Sequence, residues 1–298
     1  MRKPKWIKFL FINCLILCCF LFSISAFLIH FTTPRVTTSL NSILPGHKVE
    51  LPIIMYHGLI KDRSKQNQYC ISPSIFESDL KYLQKNGYHT VNMTDLINYV
   101  YNDTPLPDKP IMLTFDDGNY NNYYYGFPLL KKYDEKAVIA IIGIHTDRYS
   151  LIKIMDPLYS NLTWGQINEM IISGHVEIEN HTYNMHSIKG ARKGCAKKSS
   201  ESADQYKQVL TEDLGRLQQR VTDFTGTTPN TIVYPFGYYS KDTEALIKEM
   251  GFKASLTCTE RINYISKDED CLYRLGRFLR PPDESSETFF NKMLSKRK

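Results

Sequence analysis

Short apolar runs closed by turn residues recur from residue 52 to residue 279, and helical patterns lie between most of them. That alternation limits most what the chain can fold into. The runs are 52–56, 88–91, 111–115, 137–142, 176–178, 231–234, 252–256 and 275–279. Unbroken apolar runs of this length suit strands buried on both faces. One helical pattern starts at Ser72-Pro73, a cap followed by proline at the first helical position, and stops at Gly87. Another opens at Thr163 with Gln166 three residues on, a capping box. A long polar pattern fills 200–225, and Ser240 reads as the cap of a helix ending at Gly251. Seven or eight such units predict an α/β fold with a mainly parallel sheet, closed or nearly closed as a barrel.

Ahead of this body lies a different kind of segment. From residue 7 to residue 31 the only charge is Lys8. About 20 apolar residues span a bilayer, so the stretch reads as a transmembrane helix. Arg2, Lys3, Lys5 and Lys8 precede or open it, which predicts a cytoplasmic N-terminus and a body outside. A cleaved signal peptide is the alternative, since Ser23, Ser25 and Ala26 offer small residues to a peptidase. The length of the run favours the uncleaved anchor. The simplest parse is an anchor over 1–31, a polar tether over 32–48 and a catalytic domain over 49–298. The net charge of +6 is concentrated at the start, because those four residues are among 37 basic ones and leave 33 against 31 acidic. A body so close to neutral, with no basic stripe, gives no footprint for nucleic acid. With 42% hydrophobic and 23% charged residues, the composition also excludes a disordered chain or a polytopic bundle.

Cys14, Cys18 and Cys19 sit in the apolar segment and read as small hydrophobes. Cys70, Cys195, Cys258 and Cys271 remain; outside the cell they could pair, and Cys258 with Cys271 is the preferred pair. The absence of any C-x-x-C argues against a cysteine zinc site.

In parallel α/β folds the chemistry sits at the C-terminal ends of strands. Tyr56-His57-Gly58 follows the first run, and Asp116-Asp117-Gly118 follows 111–115. His181 and His186 follow 176–178, and Tyr234-Pro235-Phe236-Gly237 follows 231–233. Adjacent carboxylates repel unless something positive takes up one of them. On a turn, one can hold a metal while the other faces a substrate; the bland reading is an Asx turn. His181 and His186 are five apart, a spacing that spreads them by about 140° on a regular helix. They would converge only from a loop. Two imidazoles, one carboxylate and an open position make a catalytic zinc site. His57, on the same rim, suits a general acid. His30, His47, His89, His145 and His175 lack such context.

Thr114-Phe115-Asp116-Asp117-Gly118 and the block 181–186 resemble motifs of the polysaccharide deacetylases, the NodB-homology carbohydrate esterases. The five-residue histidine spacing and the early Met55-Tyr56-His57 resemble the poly-N-acetylglucosamine deacetylase branch. The resemblance covers about residues 50–280. It implies a distorted (β/α) barrel of seven or eight units. It implies that Asp117, His181 and His186 hold a divalent metal, zinc by preference. Asp116 would be the general base and His57 the acid that protonates the leaving amine. The backbone N–H of Phe236 would help stabilise the oxyanion, with Tyr234 and Pro235 beside it as further oxyanion or substrate-binding residues. Many members carry an arginine two residues before that proline; here the position is Val233, and Arg277 is the candidate substitute that tunes the base. The implied activity is metal-dependent de-N-acetylation of an extracellular N-acetylglucosamine polymer, exopolysaccharide or peptidoglycan.

Two other readings stand beside this one. A non-catalytic, membrane-tethered carbohydrate-binding relative would keep the barrel and lose turnover, but it has no need of the full Asp, His and His57 set. Glycoside hydrolysis wants carboxyl groups about 5 Å apart across the bond, usually from different strands. Tyr120, Tyr123, Tyr124 and Tyr125 follow the Asp-Asp-Gly turn and read as packing rather than a sugar platform, as does Trp164.

Overall fold

The computed structural model describes residues 48–297 apart from Ala191. The expected anchor, and the expected tether up to residue 47, lie outside the described residues. Among the described residues no helix is long and apolar enough to cross a membrane.

The strands, in chain order, are β1 (Val49–Leu51), β2 (Ile53–Tyr56), β3 (Gly58–Leu59), β4 (Cys70–Ile71), β5 (His89–Thr90), β6 (Pro110–Phe115), β7 (Ala137–Ile141), β8 (Val176–Asn180), β9 (Thr231–Val233), β10 (Ala254–Leu256), β11 (Asn263–Ile265) and β12 (Phe278–Leu279). One curled sheet runs β10-β9-β8-β7-β6-β2-β12, with β5 beside the start of β6. Its ladders are all parallel. Parallel neighbours need crossover connections. The helices that supply or flank them are α1 (Pro73–Lys85), α2 (Met93–Asn102), α3 (Phe127–Tyr133), α4 (Gly143–Ile152), α5 (Trp164–Ile172), α6 (Ala203–Thr225), α7 (Thr243–Glu249) and α8 (Ser286–Leu294). The sheet is a half-barrel, and one isolated bridge joins Leu256 on its β10 edge to Leu275, in the segment that leads into β12. There the Leu275 N–H donates to the Ser255 carbonyl and the Thr257 N–H to the Leu275 carbonyl.

Successive strand residues face opposite sides, and here each side meets its own core. Ile54, Leu113, Ile139 and Ile178 pack outward against α1, α5, α6 and α8. Ile53, Met112, Val138, Val233 and Leu256 face inward, where α2 covers the N-terminal end of the strands. This two-sided burial is why the strands read as unbroken apolar runs. Tyr120 is buried, Tyr123 and Tyr125 pack against the outer core, and Trp164 is buried while stacking on Phe224. Packing is thus the observed part of these four, whereas Tyr124 is exposed, its ring tilted against that of Tyr120 and edge-on to that of Tyr125.

Two of the expected caps form as the sequence predicts. Ser72 accepts from the Ile75 N–H, and Thr163 with Gln166 forms the reciprocal box. Ser202 caps α6, inside the pattern expected over 200–225. Ser240 does not cap α7: its hydroxyl accepts from the Lys197 N–H, and the helix starts three residues later. The run 275–279 is also shorter as a strand, β12 alone. Arg274 is left-handed at φ 60°, and Gly276 lies so close to its neighbours that a Cβ would come within 2.6 Å of the Thr259 carbonyl oxygen. The expected Cys258–Cys271 bridge is absent, and all four body cysteines are free thiols. Cys258 sits at the C-terminal rim beside Arg277. Cys271 packs against the inner core, its Sγ near the Ser266 carbonyl.

Candidate active site

The C-terminal ends of β2, β6, β8 and β9 bring His57, Asp116, Asp117, His181, His186 and Phe236 around one cavity of about 630 Å³. Asp116 directly follows β6, and its N–H donates to the Tyr56 carbonyl, so it continues the ladder. The chain then turns sharply: Asp117 is left-handed at φ 72° and Gly118 at φ 64°. Only glycine fits at Gly118, where a Cβ would lie 2.9 Å from Ile141 Cγ2. Asn161 holds this turn by donating to the Asp117 carbonyl. The result separates the two carboxylates, one kept inward and one turned to the rim.

The histidine pair converges through a tethered loop. Thr182 sits at φ 73°, an unusual conformation for a β-branched residue. Its N–H donates to Asn180 Oδ1, while the Tyr183 and Asn184 N–H groups donate to the Asp213 carboxylate. That reversal lets residues five apart face one point. His181 Nε2 and His186 Nε2 lie 3.6 and 3.2 Å from Asp117 Oδ1. A tetrahedral zinc with ligands at about 2.0–2.1 Å separates them by roughly 3.3 Å, so the donor set fits such an ion. Asp117 Oδ1 is buried with no hydrogen-bond partner among the described residues. The His181 Nδ1 is 2.7 Å from the Val233 carbonyl, a bond that leaves Nε2 free as a ligand. Burial pushes the His181 pKa down to about 4, which favours the neutral, ligating form. For Asp117 burial acts upward, but His186, His181 and His57 outweigh it and lower the pKa.

Asp116 makes a bidentate pair with Arg277: Nη1 to Oδ1 at 2.7 Å and Nη2 to Oδ2 at 2.8 Å. Arg277 is fully buried and also donates to Thr114 Oγ1 and the Thr257 carbonyl. Burial alone would raise the Asp116 pKa; Arg277, with His181 and His57, holds it well below the usual carboxylate range. Arg277, the candidate substitute for the arginine absent at Val233, thus reaches Asp116 from β12's side of the sheet. His57 Nε2 stands 3.9 Å from Asp116 Oδ2, and its ring lies 5.0 Å from that of Tyr69.

Phe236 is left-handed at φ 56° in the turn Pro235–Gly237, and its ring lies tilted against that of His186, centroids 4.5 Å apart. Tyr234 is different from expectation: its side chain is buried in a third core, stacked on Tyr239, and does not line the cavity. Pro235 is buried too, and it does not line the cavity either. Sequence reasoning missed Tyr69, Ile188, Tyr238, Cys258 and Glu260 on the cavity wall. Of these only Cys258 had a visible signal, its place just after a strand.

Comparison with known proteins decides the family. The pattern of the family described as polysaccharide deacetylase matches residues 103–255. A Bacillus subtilis (strain 168) protein, YxkH, whose name places it among the polysaccharide deacetylases, is 30% identical over 240 residues, 80% of this chain and 75% of its own. The chain belongs to the polysaccharide deacetylase family. Like its deacetylase relatives it is a hydrolase of amide carbon–nitrogen bonds outside peptides. The poly-β-1,6-N-acetyl-D-glucosamine N-deacetylase of Escherichia coli (strain K12) is 24% identical over 245 residues, 76% of this chain but only 36% of that protein's length. A solved de-N-acetylase from Aggregatibacter actinomycetemcomitans superposes with a TM-score of 0.69 at 26% identity, covering 82% of this chain and 99% of that one. In this deacetylase the half-barrel and the rim residues thus stand in a known fold.

Proposed function

We propose that this deacetylase removes acetyl groups from an N-acetylglucosamine polymer of the β-1,6-linked kind named for its Escherichia coli and Staphylococcus aureus relatives. The polymer would lie outside the cell, with residues 1–31 anchoring the enzyme at the membrane and 32–48 as tether. The observation that carries the reading is the convergence of Asp117, His181 and His186, their donor atoms within 4.8 Å, beside an Arg277-bound Asp116 and His57.

Asp117, His181 and His186 would hold a divalent ion, zinc by preference. When bound, such an ion supplies a water acidic enough to ionise near neutral pH and polarises the acetyl carbonyl. Asp116, kept ionised by Arg277, accepts the proton of the attacking water. The Phe236 N–H donates to the developing oxyanion. His57 gives a proton to the nitrogen as the carbon–nitrogen bond breaks, since an amine leaves poorly as an anion. The apolar wall, with Leu279, Ile188 and Phe236, suits a sugar face and an acetyl methyl.

The test is acetate release from β-1,6- and β-1,4-linked N-acetylglucosamine oligomers, with zinc and with chelator. Chelator-sensitive release, lost in Asp117→Ala, is expected. No release from either oligomer by the zinc-loaded protein would overturn the substrate assignment.

A further inference from the structure

Resting on the reading of His57 as the acid, we propose that Asn122 is a positioning residue that sets His57 through its backbone, with Asn121 completing the clamp. The His57 imidazole has few side-chain tethers. Its Nδ1 is buried with no hydrogen-bond partner among the described residues, and Nε2 reaches Asp116 only at 3.9 Å. Its place must come from the main chain. The Asn122 side-chain amide donates to the His57 carbonyl at 2.7 Å. The Leu59 N–H donates to Asn121 Oδ1 at 2.9 Å. In extended chain, the C=O of one residue and the N–H two residues on point to the same side. The two asparagines therefore occupy one edge of the segment 57–59, where a neighbouring strand would bond. β4 takes the other edge, through Gly58 N–H to the Tyr69 carbonyl and Ile60 N–H to the Ile71 carbonyl.

Both asparagines are buried, at 3% and 2% exposure, so the bonds are shielded from water. They are linked to each other, and Asn121 is fixed by donating to the Pro157 carbonyl. Asn122 opens a π-helical turn, Asn122–Gly126, a rare geometry concentrated at functional sites. The loop that bears Asp116 and Asp117 thus also grips the acid, and the three groups are set by one stretch of chain.

The test uses the purified full chain, single-turnover acetate release and zinc titration. Asn122→Ala and the isosteric Asn122→Asp are each made alone and with His57→Ala. The expected result is a 10- to 100-fold loss of kcat, about what a 1 Å misplacement costs. KM and zinc affinity stay within about twofold, and no further loss occurs in the His57→Ala background. Asn121→Ala gives a smaller loss of the same pattern. The clamp is overturned if either Asn122 variant keeps its parent's kcat while His57→Ala is slowed to a low but measurable rate. It is overturned equally by an undiminished loss in the His57→Ala background, or by a parallel fall in zinc affinity, which would mark a role in the loop alone. A His57→Ala chain as active as its parent would remove the acid assignment, and the clamp with it.

Discussion

Asp116 is 3% exposed, and Arg277, fully buried, meets it with two hydrogen bonds. A buried pair of this kind is costly to break, because one charge is left uncompensated, by about 3–5 kcal/mol. Arg277→Ala should therefore lose both stability and activity. Arg277→Lys is the sharper experiment, since lysine keeps the charge and loses the planar fork. Weakening the guanidinium's hold lets burial raise the Asp116 pKa. In the proposed reaction Asp116 serves as base only when ionised, so the acid limb of kcat/KM is expected to move to higher pH in Arg277→Lys. A pH profile of acetate release checks this; an unmoved limb would show that Arg277 does not tune the base. At this scale much was legible in the sequence, since Asp116, Asp117, His181, His186 and His57 each follow an apolar run. Arg277 was only a candidate, because its partner lies 161 residues away and no spacing rule joins them. Asn122 was not visible at all: an asparagine among tyrosines has many uses, and only the fold puts it against His57.

The elements were read from their caps and their two-sided burial, and they fail where tertiary contacts take over. Ser240 had the right chemistry for a cap, but Lys197 claims its hydroxyl. Glu177 shows the opposite case, a cap supplied from far along the chain. From β8 it accepts from the Met93 and Thr94 N–H groups at the start of α2. The orphan donors of a helix N-terminus and its positive dipole both favour a carboxylate there. Glu177→Gln keeps the size and one acceptor but removes the charge. We expect a loss of about 1–2 kcal/mol, read as a melting temperature lower by roughly 2–8 °C. Acetate release at 25 °C should be unchanged, because Glu177 lies at the end of the sheet away from the rim. An unchanged melting temperature would mean that the Asn92–Asp95 box alone suffices for α2.

For the whole molecule, the site's chemistry should appear in global stability. In the metal-free protein His181 is buried and its pKa is pushed down to about 4. In the unfolded chain an unperturbed histidine takes its proton near pH 6.5. Between those values the unfolded state binds one more proton, so stability falls as pH falls from about 6.5 to about 4. The full loss is about 3 kcal/mol, at 1.36 kcal/mol per unit. Glu179 works against this, since burial raises its pKa well above the ordinary value and makes the folded state the better proton binder. Subtracting the curve of His181→Gln removes that opposing slope and leaves the titration of His181 with the carboxylates it faces, Asp116 and Asp117. Denaturant melts of chelator-treated protein should show wild type losing stability relative to His181→Gln below pH 6.5. Adding zinc should stabilise only the wild type, and should do so less as pH falls, because both imidazoles must be neutral to ligate. Parallel curves for the two proteins would show that His181 is not held neutral by the fold, and the case for a preformed metal site would weaken with it.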